Sequence, residues 1–294
     1  MAAKELIPDA CIHQDVAVSA KRLAAGQLSA KIPGRPATTQ HQVRAKKSNN
    51  PAISVVIPTF NRAESLRCTL QSLLEQTLPK TEYEVVVVND GSTDTTTEVC
   101  EGFIDQMQLT ALRHNENSGI AAAKNTGTLA ARGGILLFFD DDDVADIRLL
   151  EEHLKAHGQH PQDNVAVLGY TTWAPGLPVS FLMEYLTDIG RFLFAYGNLQ
   201  DGQMLDFTYF WGGRSSCKRA FLAAHGVFNR QFRSIIEDME LGYRLSRFGF
   251  RVVFHRAAVS YMTRGLGVDD FCHRCERQGE ALYLFSRLHS DSIV

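Results

Sequence analysis

Gly134-Ile135-Leu136-Leu137-Phe138-Phe139-Asp140-Asp141-Asp142-Asp143 joins five consecutive apolar residues to four consecutive carboxylates. A short unbroken apolar run is what a strand covered on both faces looks like, and such strands belong to parallel sheets. The acids mark where the strand leaves the core for solvent. Four adjacent carboxylates repel one another, and a hard divalent cation such as magnesium or manganese, which takes oxygen ligands, relieves that repulsion. In open α/β sheets ligands bind beyond the carboxyl ends of the strands, where this run falls. The plainer alternative is a solvated acidic turn opening a helix, since Asp is also a good N-cap.

Outward from this stretch the same grammar repeats. Ile53–Ile57 is an expected strand stopped by Pro58, followed by a helix over Glu64–Gln76 with Leu66, Leu70, Leu73 and Leu74 on one face. Glu84–Val88 is a second buried strand, ending in Asn89-Asp90-Gly91-Ser92-Thr93-Asp94. Thr95–Met107 is helical, Leu109–Arg113 a short strand, and Ser118–Arg132 an Ala-rich helix leading into the 134–139 strand. Strands alternating with helices predict a doubly wound α/β sheet, mainly parallel with helices on both faces. Thr59-Phe60-Asn61, Asn89-Asp90 and Asp140–Asp143 would then line one crevice.

Downstream, Asp146–His157 is an expected helix and Val165–Gly169 a strand. Aromatic residues then crowd positions 170–211, among them Trp173 and Trp211. A short strand or turn at Gly212-Gly213 precedes a helix over Lys218–His225. Ile235-Ile236-Glu237-Asp238 opens a helix over 239–248, Arg251–His255 is a strand, and Asp269–Leu288 a last amphipathic helix. Upstream, Gln14–Leu28 suits one short helix, and Ser29–Asn50 is polar, basic and broken by Pro33, Gly34 and Pro36. The expected organisation is therefore an extension and linker over 1–50, a ligand-binding half over 51–145 and a second half over 146–294.

The chain has 294 residues, 45% of them hydrophobic and 21% charged, which suits one large globular domain with extensions. A formal net charge of −3 argues against a nucleic-acid binder. Six scattered cysteines suit reduced thiols, and Cys272-x-x-Cys275 has no second pair to complete a zinc site. No signal pattern opens the chain, and no apolar run approaches the roughly 20 residues needed to cross a bilayer. A cytoplasmic protein is expected, with peripheral contact at the inner face of a membrane allowed.

The order of motifs says more than any one of them. Ser54-Val-Val-Ile-Pro-Thr-Phe-Asn-Arg62 comes first, then Val88-Asn-Asp-Gly-Ser-Thr-Asp94, then Asn117-Ser-Gly119 with Ala121–Gly127. The acids at 140–143 and Glu237-Asp238 complete the series. This set resembles the inverting glycosyltransferases of family 2, which have the GT-A fold, over about Ile53 to Ser286.

The resemblance implies a nucleotide diphosphate sugar donor, UDP-sugar being the leading class, and Mg2+ or Mn2+ as cofactor. It implies nucleotide-sugar contacts at Pro58, Thr59, Asn61, Asp90, Lys124, Asp140 and Asp141, with Asp90 against a uracil-type base and Asp140 near the ribose. Asp142 would hold the cation and Asp238 would be the catalytic base. Trp173, Trp211, Gly213, Arg214 and Glu237 are acceptor-side candidates, the acceptor being a glycan, a lipid-linked sugar, a small molecule or a protein.

The chemistry agrees: charge growing on a departing diphosphate needs a cation, and inversion needs a carboxylate to take the acceptor hydroxyl's proton. Each residue has a plainer role. Asp90-Gly91 suits a turn, Glu237 and Asp238 suit a helix cap, and Lys124 suits a solvated charge.

The chain departs from the family pattern twice. Arg214 stands in a segment where relatives carry Asn, and Met262 stands near a position where many carry His. His255 lies nearby in sequence, and Arg264 and Arg274 are candidates for phosphate compensation. These departures keep open a nucleotide-sugar-binding partner without turnover. A nicotinamide dehydrogenase fits poorly, because Pro-Thr-Phe-Asn and no Gly-x-Gly-x-x-Gly follows the first strand.

Overall fold

The computed structural model describes residues 39–44, 50–189 and 193–289. The chain runs β1 (Thr39–Arg44), β2 (Ile53–Thr59), α1 (Ala63–Leu74), β3 (Tyr83–Asn89), α2 (Thr96–Phe103), β4 (Leu109–His114), α3 (Ile120–Ala130) and β5 (Ile135–Phe138). There follow β6 (Asp143–Ala145), α4 (Leu149–Gln159), β7 (Val165–Trp173), α5 (Phe181–Glu184), β8 (Met204–Leu205), β9 (Ser215–Lys218), α6 (Arg219–His225), α7 (Glu237–Ser246), β10 (Arg251–Met262) and α8 (Val268–Leu288).

The strands form one ten-stranded mixed sheet in the order β1-β4-β3-β2-β5-β9-β7-β10-β6, with β8 on β10. The expected parallel half is present as β4-β3-β2-β5. Every residue of β2 and β3 is buried, as continuous apolar strands in a covered parallel sheet must be. Two cores result. One packs Leu66, Leu70 and Leu73 of α1 against Val55, Ile57 and Val87, and the other packs α3 and α7 against Val56, Val88 and Phe138.

The second half is less regular than its sequence suggests. β9 wedges antiparallel between β5 and β7, although its segment Ser-Ser-Cys-Lys carries little hydrophobic signal. β7 and β10 run well past the expected Gly169 and His255 because each is the other's parallel partner up to Trp173 and Met262, across an irregularity between Phe254 and Val259. Residues 39–44, expected in the linker, add an antiparallel edge strand to β4. The helix expected over Gln14–Leu28 lies outside the described residues. Among the cysteines, Cys100, Cys217, Cys272 and Cys275 are free, whereas Cys68 is disulfide-bonded, against the expectation of reduced thiols. No helix among the described residues is long and apolar enough to cross a membrane.

Candidate active site

The chain steps from β2 outward to β3 and β4, then returns to the other side of β2 as β5. That reversal opens a crevice at the carboxyl ends of β2 and β5, where α/β sheets bind ligands. A cleft of about 830 Å³ lies there. Its walls include Pro58, Thr59, Asp90, Lys124 and Asp140–Asp143 from the first half, and Trp173, Trp211, Gly213, Arg214, Glu237 and Asp238 from the second. Of the residues singled out from sequence, the fold leaves Asn61 and His255 off these walls.

The acidic run turns at Asp141 and Asp142 between β5 and β6, and its side chains divide between core and cleft. Asp141 and Asp143 turn inward and are buried, whereas Asp140 and Asp142 keep 31% and 24% side-chain exposure toward the cleft. This separates two roles that the sequence ran together. Burial pushes the Asp141 carboxyl up to about 7 and that of Asp143 up to about 8.

Two arginines offset the charge. Arg62 Nη1 lies 3.1 Å from Asp141 Oδ1 and 2.5 Å from Asp142 Oδ2. Arg214 Nη2 lies 3.2 Å from Asp140 and 3.3 Å from Asp143. Arg214 also donates from Nε to Thr171 Oγ1 at 3.0 Å and lies over the Phe194 ring at 4.3 Å. Arg214, expected on the acceptor side, lines the cleft and also braces Asp140 and Asp143. The backbone of the run is fastened to α1, whose Thr69 hydroxyl lies 3.1 and 2.8 Å from the carbonyls of Asp141 and Asp143.

The opposite wall depends on three glycines. Gly127 of α3 lies so close to Val56 that a Cβ would collide, which lets α3 settle on β2 with Lys124 one turn nearer the cleft. Lys124 Nζ reaches Glu237 Oε1 of α7 at 2.7 Å, a pair buried to 1% and 4% exposure. Burial opposes the charge on Lys124, but Glu237, Asp238 and Asp140 outweigh it and raise its pKa, so the ammonium stays protonated. A Cβ at Gly212 would press on Lys124 and Asp238, and one at Gly213 would overlap the Asp140 carboxylate. Their absence lets the Gly212 amide donate to Asp238 Oδ2 at 2.7 Å. Ile236, just before Glu237, has φ +69°, a left-handed conformation that costs a β-branched residue energy and that concentrates at functional sites.

Other expected residues fall differently. Asp90 lines the cleft, and its carboxylate takes the amides of Ser118 and Gly119 at 2.9 and 2.8 Å and His114 Nδ1 at 2.6 Å. Those two amides belong to the turn before α3, which is why that helix starts at Ile120 rather than at Ser118.

Asn61 is absent from the cleft wall. Its amide donates to Ser92 Oγ at 2.9 Å and its Oδ1 accepts from Thr93 at 2.7 Å, tying down a left-handed turn at φ +53°. Asn61 therefore fastens the loop whose neighbours Phe60 and Arg62 line the cleft. His255 is drawn away to Glu152 at 2.7 Å. Trp211 packs among Phe194, Tyr196 and Tyr209, so only part of its ring faces the cleft. Met262, Arg264 and Arg274 all line the cleft, and Arg274 Nε is buried with no hydrogen-bond partner. Arg62 and His114 went unnoticed in the sequence: Arg62 stood in the quoted Phe-Asn-Arg signal, whereas nothing local marked His114.

Among the described residues no three His, Cys, Asp or Glu side chains converge into a metal cage. The oxygens nevertheless fit magnesium or manganese, because such ions use one or two carboxylates and complete their shell with phosphates and water. Arg62 already places a positive charge where Asp142 faces the cleft.

The mixed sheet, its switch-point cleft and the acids at its mouth define a GT-A glycosyltransferase fold. Solved structures agree. The mannosyltransferase PcManGT from Pyrobaculum calidifontis, in complex with GDP-Man and Mn2+, matches with a TM-score of 0.60 at 21% identity over 80% of this chain and 63% of its own. Staphylococcus aureus TarS 1–349 in complex with UDP-GlcNAc matches at 0.59 and 21% identity, over 75% of this chain and 60% of its own. The family model for glycosyl transferase family 2 matches residues 54–202, and the chain belongs to that family.

Among curated relatives, validoxylamine A glucosyltransferase of Streptomyces hygroscopicus subsp. limoneus is 30% identical over 262 residues, 76% of this chain and 58% of the relative. The uncharacterized glycosyltransferase YfnE of Bacillus subtilis is 29% identical over 251 residues, 70% of this chain and 63% of the relative. The chain thus spans little more than half the length of these relatives.

Proposed function

We propose that this protein transfers a sugar from a nucleotide diphosphate sugar to an acceptor hydroxyl with inversion at the anomeric carbon. The observation that carries this reading is that Asp142 and Asp238, from opposite halves of the chain, face one cleft with donor-sized walls between them. Asp238 would act as general base: the Gly212 amide orients its carboxylate, and the carboxylate takes the acceptor hydroxyl's proton as the bond to the sugar forms. Lys124 keeps a positive charge behind it, held by Glu237.

On the donor side Pro58 and Thr59 form the wall at the end of β2. Asp90 spends three acceptor positions on its own chain and keeps one for a base N–H. Asp140, pinned by Arg214, would stand near the ribose. A divalent cation at Asp142 would neutralise charge on the departing diphosphate. Trp173 and Trp211 offer ring surface on the acceptor side. UDP is the leading nucleotide, supported by the UDP-GlcNAc complex of TarS; the GDP-Man complex of PcManGT makes GDP the control.

Titration calorimetry with UDP, GDP and TDP, each with Mn2+ or Mg2+, tests the donor side. Absence of binding in every combination would sink the proposal. Sugar release or transfer from radiolabelled nucleotide sugars tests turnover; tight binding with no release from any donor would favour a silent binding partner.

A further inference from the structure

Two arginines balance the acidic run, but they are held in different ways. Arg214 is 11% exposed, bonded to Thr171 and stacked on Phe194, so its guanidinium is fixed by its surroundings. Arg62 is 37% exposed and reaches Asp141 and Asp142 through Nη1. Its backbone, by contrast, is tied down on both sides. The Asn61 amide donates to Ser92, and the Ala63 amide donates to Asp94 Oδ2 at 3.0 Å. The main chain is anchored while the long side chain can swing into the cleft. On the other side of the contact, the Asp142 backbone carbonyl accepts from Thr263 Oγ1 at 2.9 Å, which anchors the Asp142 main chain beside Arg62.

From this arrangement we propose that Arg62 is a built-in competitor of the divalent cation. In the nucleotide-free protein its guanidinium neutralises Asp142, and a metal ion binds there only by displacing it. The proposal rests on the metal-assisted reading given above. A guanidinium and a divalent cation cannot share one carboxylate without repelling each other, and Asp142 is exposed enough to exchange one for the other. Displacement need not leave Arg62 unpaired. It already lines the cleft, and a guanidinium binds phosphate oxygens with two donors, so a donor diphosphate arriving with the metal would take over the contact. The cost of holding metal alone would keep the site closed to cations until nucleotide is present.

The test is Mn2+ binding, followed by the electron paramagnetic resonance signal of free Mn2+, in protein without nucleotide. Arg62→Met should bind Mn2+ about 10- to 100-fold more tightly than wild type, the range expected when one opposing unit charge leaves a half-exposed site. Arg62→Lys keeps the charge and loses the fork, so it should fall between the two. It also serves if the methionine variant does not fold, which melting curves would show. Combining Arg62→Met with Asp142→Asn should abolish the gain.

Equal or weaker Mn2+ binding by both Arg62 variants, with wild type binding Mn2+ when UDP is added, would overturn this inference and leave the metal reading intact. No Mn2+ binding by any of the proteins, with or without UDP, would overturn the metal reading and this inference with it.

Discussion

His153 and His157, one turn apart on α4, both meet Ser216 Oγ of β9 at 2.9 Å, deep under the sheet. The outer ring nitrogens, His153 Nε2 and His157 Nδ1, are buried without a partner, so protonating both rings would leave N–H donors there with no acceptor, and neutral rings are favoured. Burial pushes His153 down to about 3 and His157 down to about 2, helped by His255 for the first and Lys218 for the second. In the unfolded chain both return to about 6.5. The unfolded state therefore binds more protons below that value. The stability these rings contribute is complete above pH 6.5 and is lost as the pH falls toward their folded values. Between pH 7 and pH 5 the loss is about 2 kcal/mol for each histidine.

Asp141 and Asp143 act in the opposite sense. Raised to about 7 and about 8, they contribute stability at low pH that is lost as the pH rises through those values. A raw stability profile mixes the two effects, and a difference separates them. Urea unfolding of wild type and of His157→Gln at pH 7, 6 and 5 should show the two free energies drawing together, wild type losing about 2 kcal/mol more over the range. A gap that stays constant to within about 0.5 kcal/mol would refute the neutral-ring account.

Asp238→Asn should cut turnover by about 10²–10⁴-fold while UDP affinity and melting temperature hold, because the amide can still accept from Gly212; near-normal turnover removes Asp238 from the mechanism. Asp142→Asn should nearly abolish transfer and Mn2+ dependence, since an amide is a poorer ligand for a hard cation; kinetics at several Mn2+ concentrations decide. Lys124→Met strands Glu237 in the core and should cost about 3–5 kcal/mol, most of it recovered in Lys124→Met/Glu237→Leu. Urea unfolding of both variants checks this, and equal losses would refute it. Gly213→Ala puts a Cβ into the Asp140 carboxylate and should lower turnover by about 10²-fold, read from initial rates against wild type.

Much of this protein is written locally. The apolar runs at 53–57, 84–88 and 135–139 can only be covered strands, and the leucine spacing of α1 can only bury one face, so the parallel half and the acids at its edge follow from residue order. The ordered motifs likewise imply that Asp142 and Asp238 share one cleft, and both line it. What the sequence could not decide depends on partners far along the chain. Which of four successive acids face inward depends on the turn at Asp141 and Asp142 and on Asp143 being held in β6, whose partner β10 lies more than a hundred residues away. Arg62 and Arg214 reach the acids across 79 and 74 residues, and Lys124 finds Glu237 across 113. Nothing in the sequence around Asn61 says that it ties a loop to Ser92 and Thr93; the fold brings those partners to it across about thirty residues. Periodicity records which face of an element is apolar. Charge pairing is settled by which elements the folded sheet brings within about 4 Å of each other, where a buried carboxylate either meets a guanidinium or an ammonium or takes up a proton.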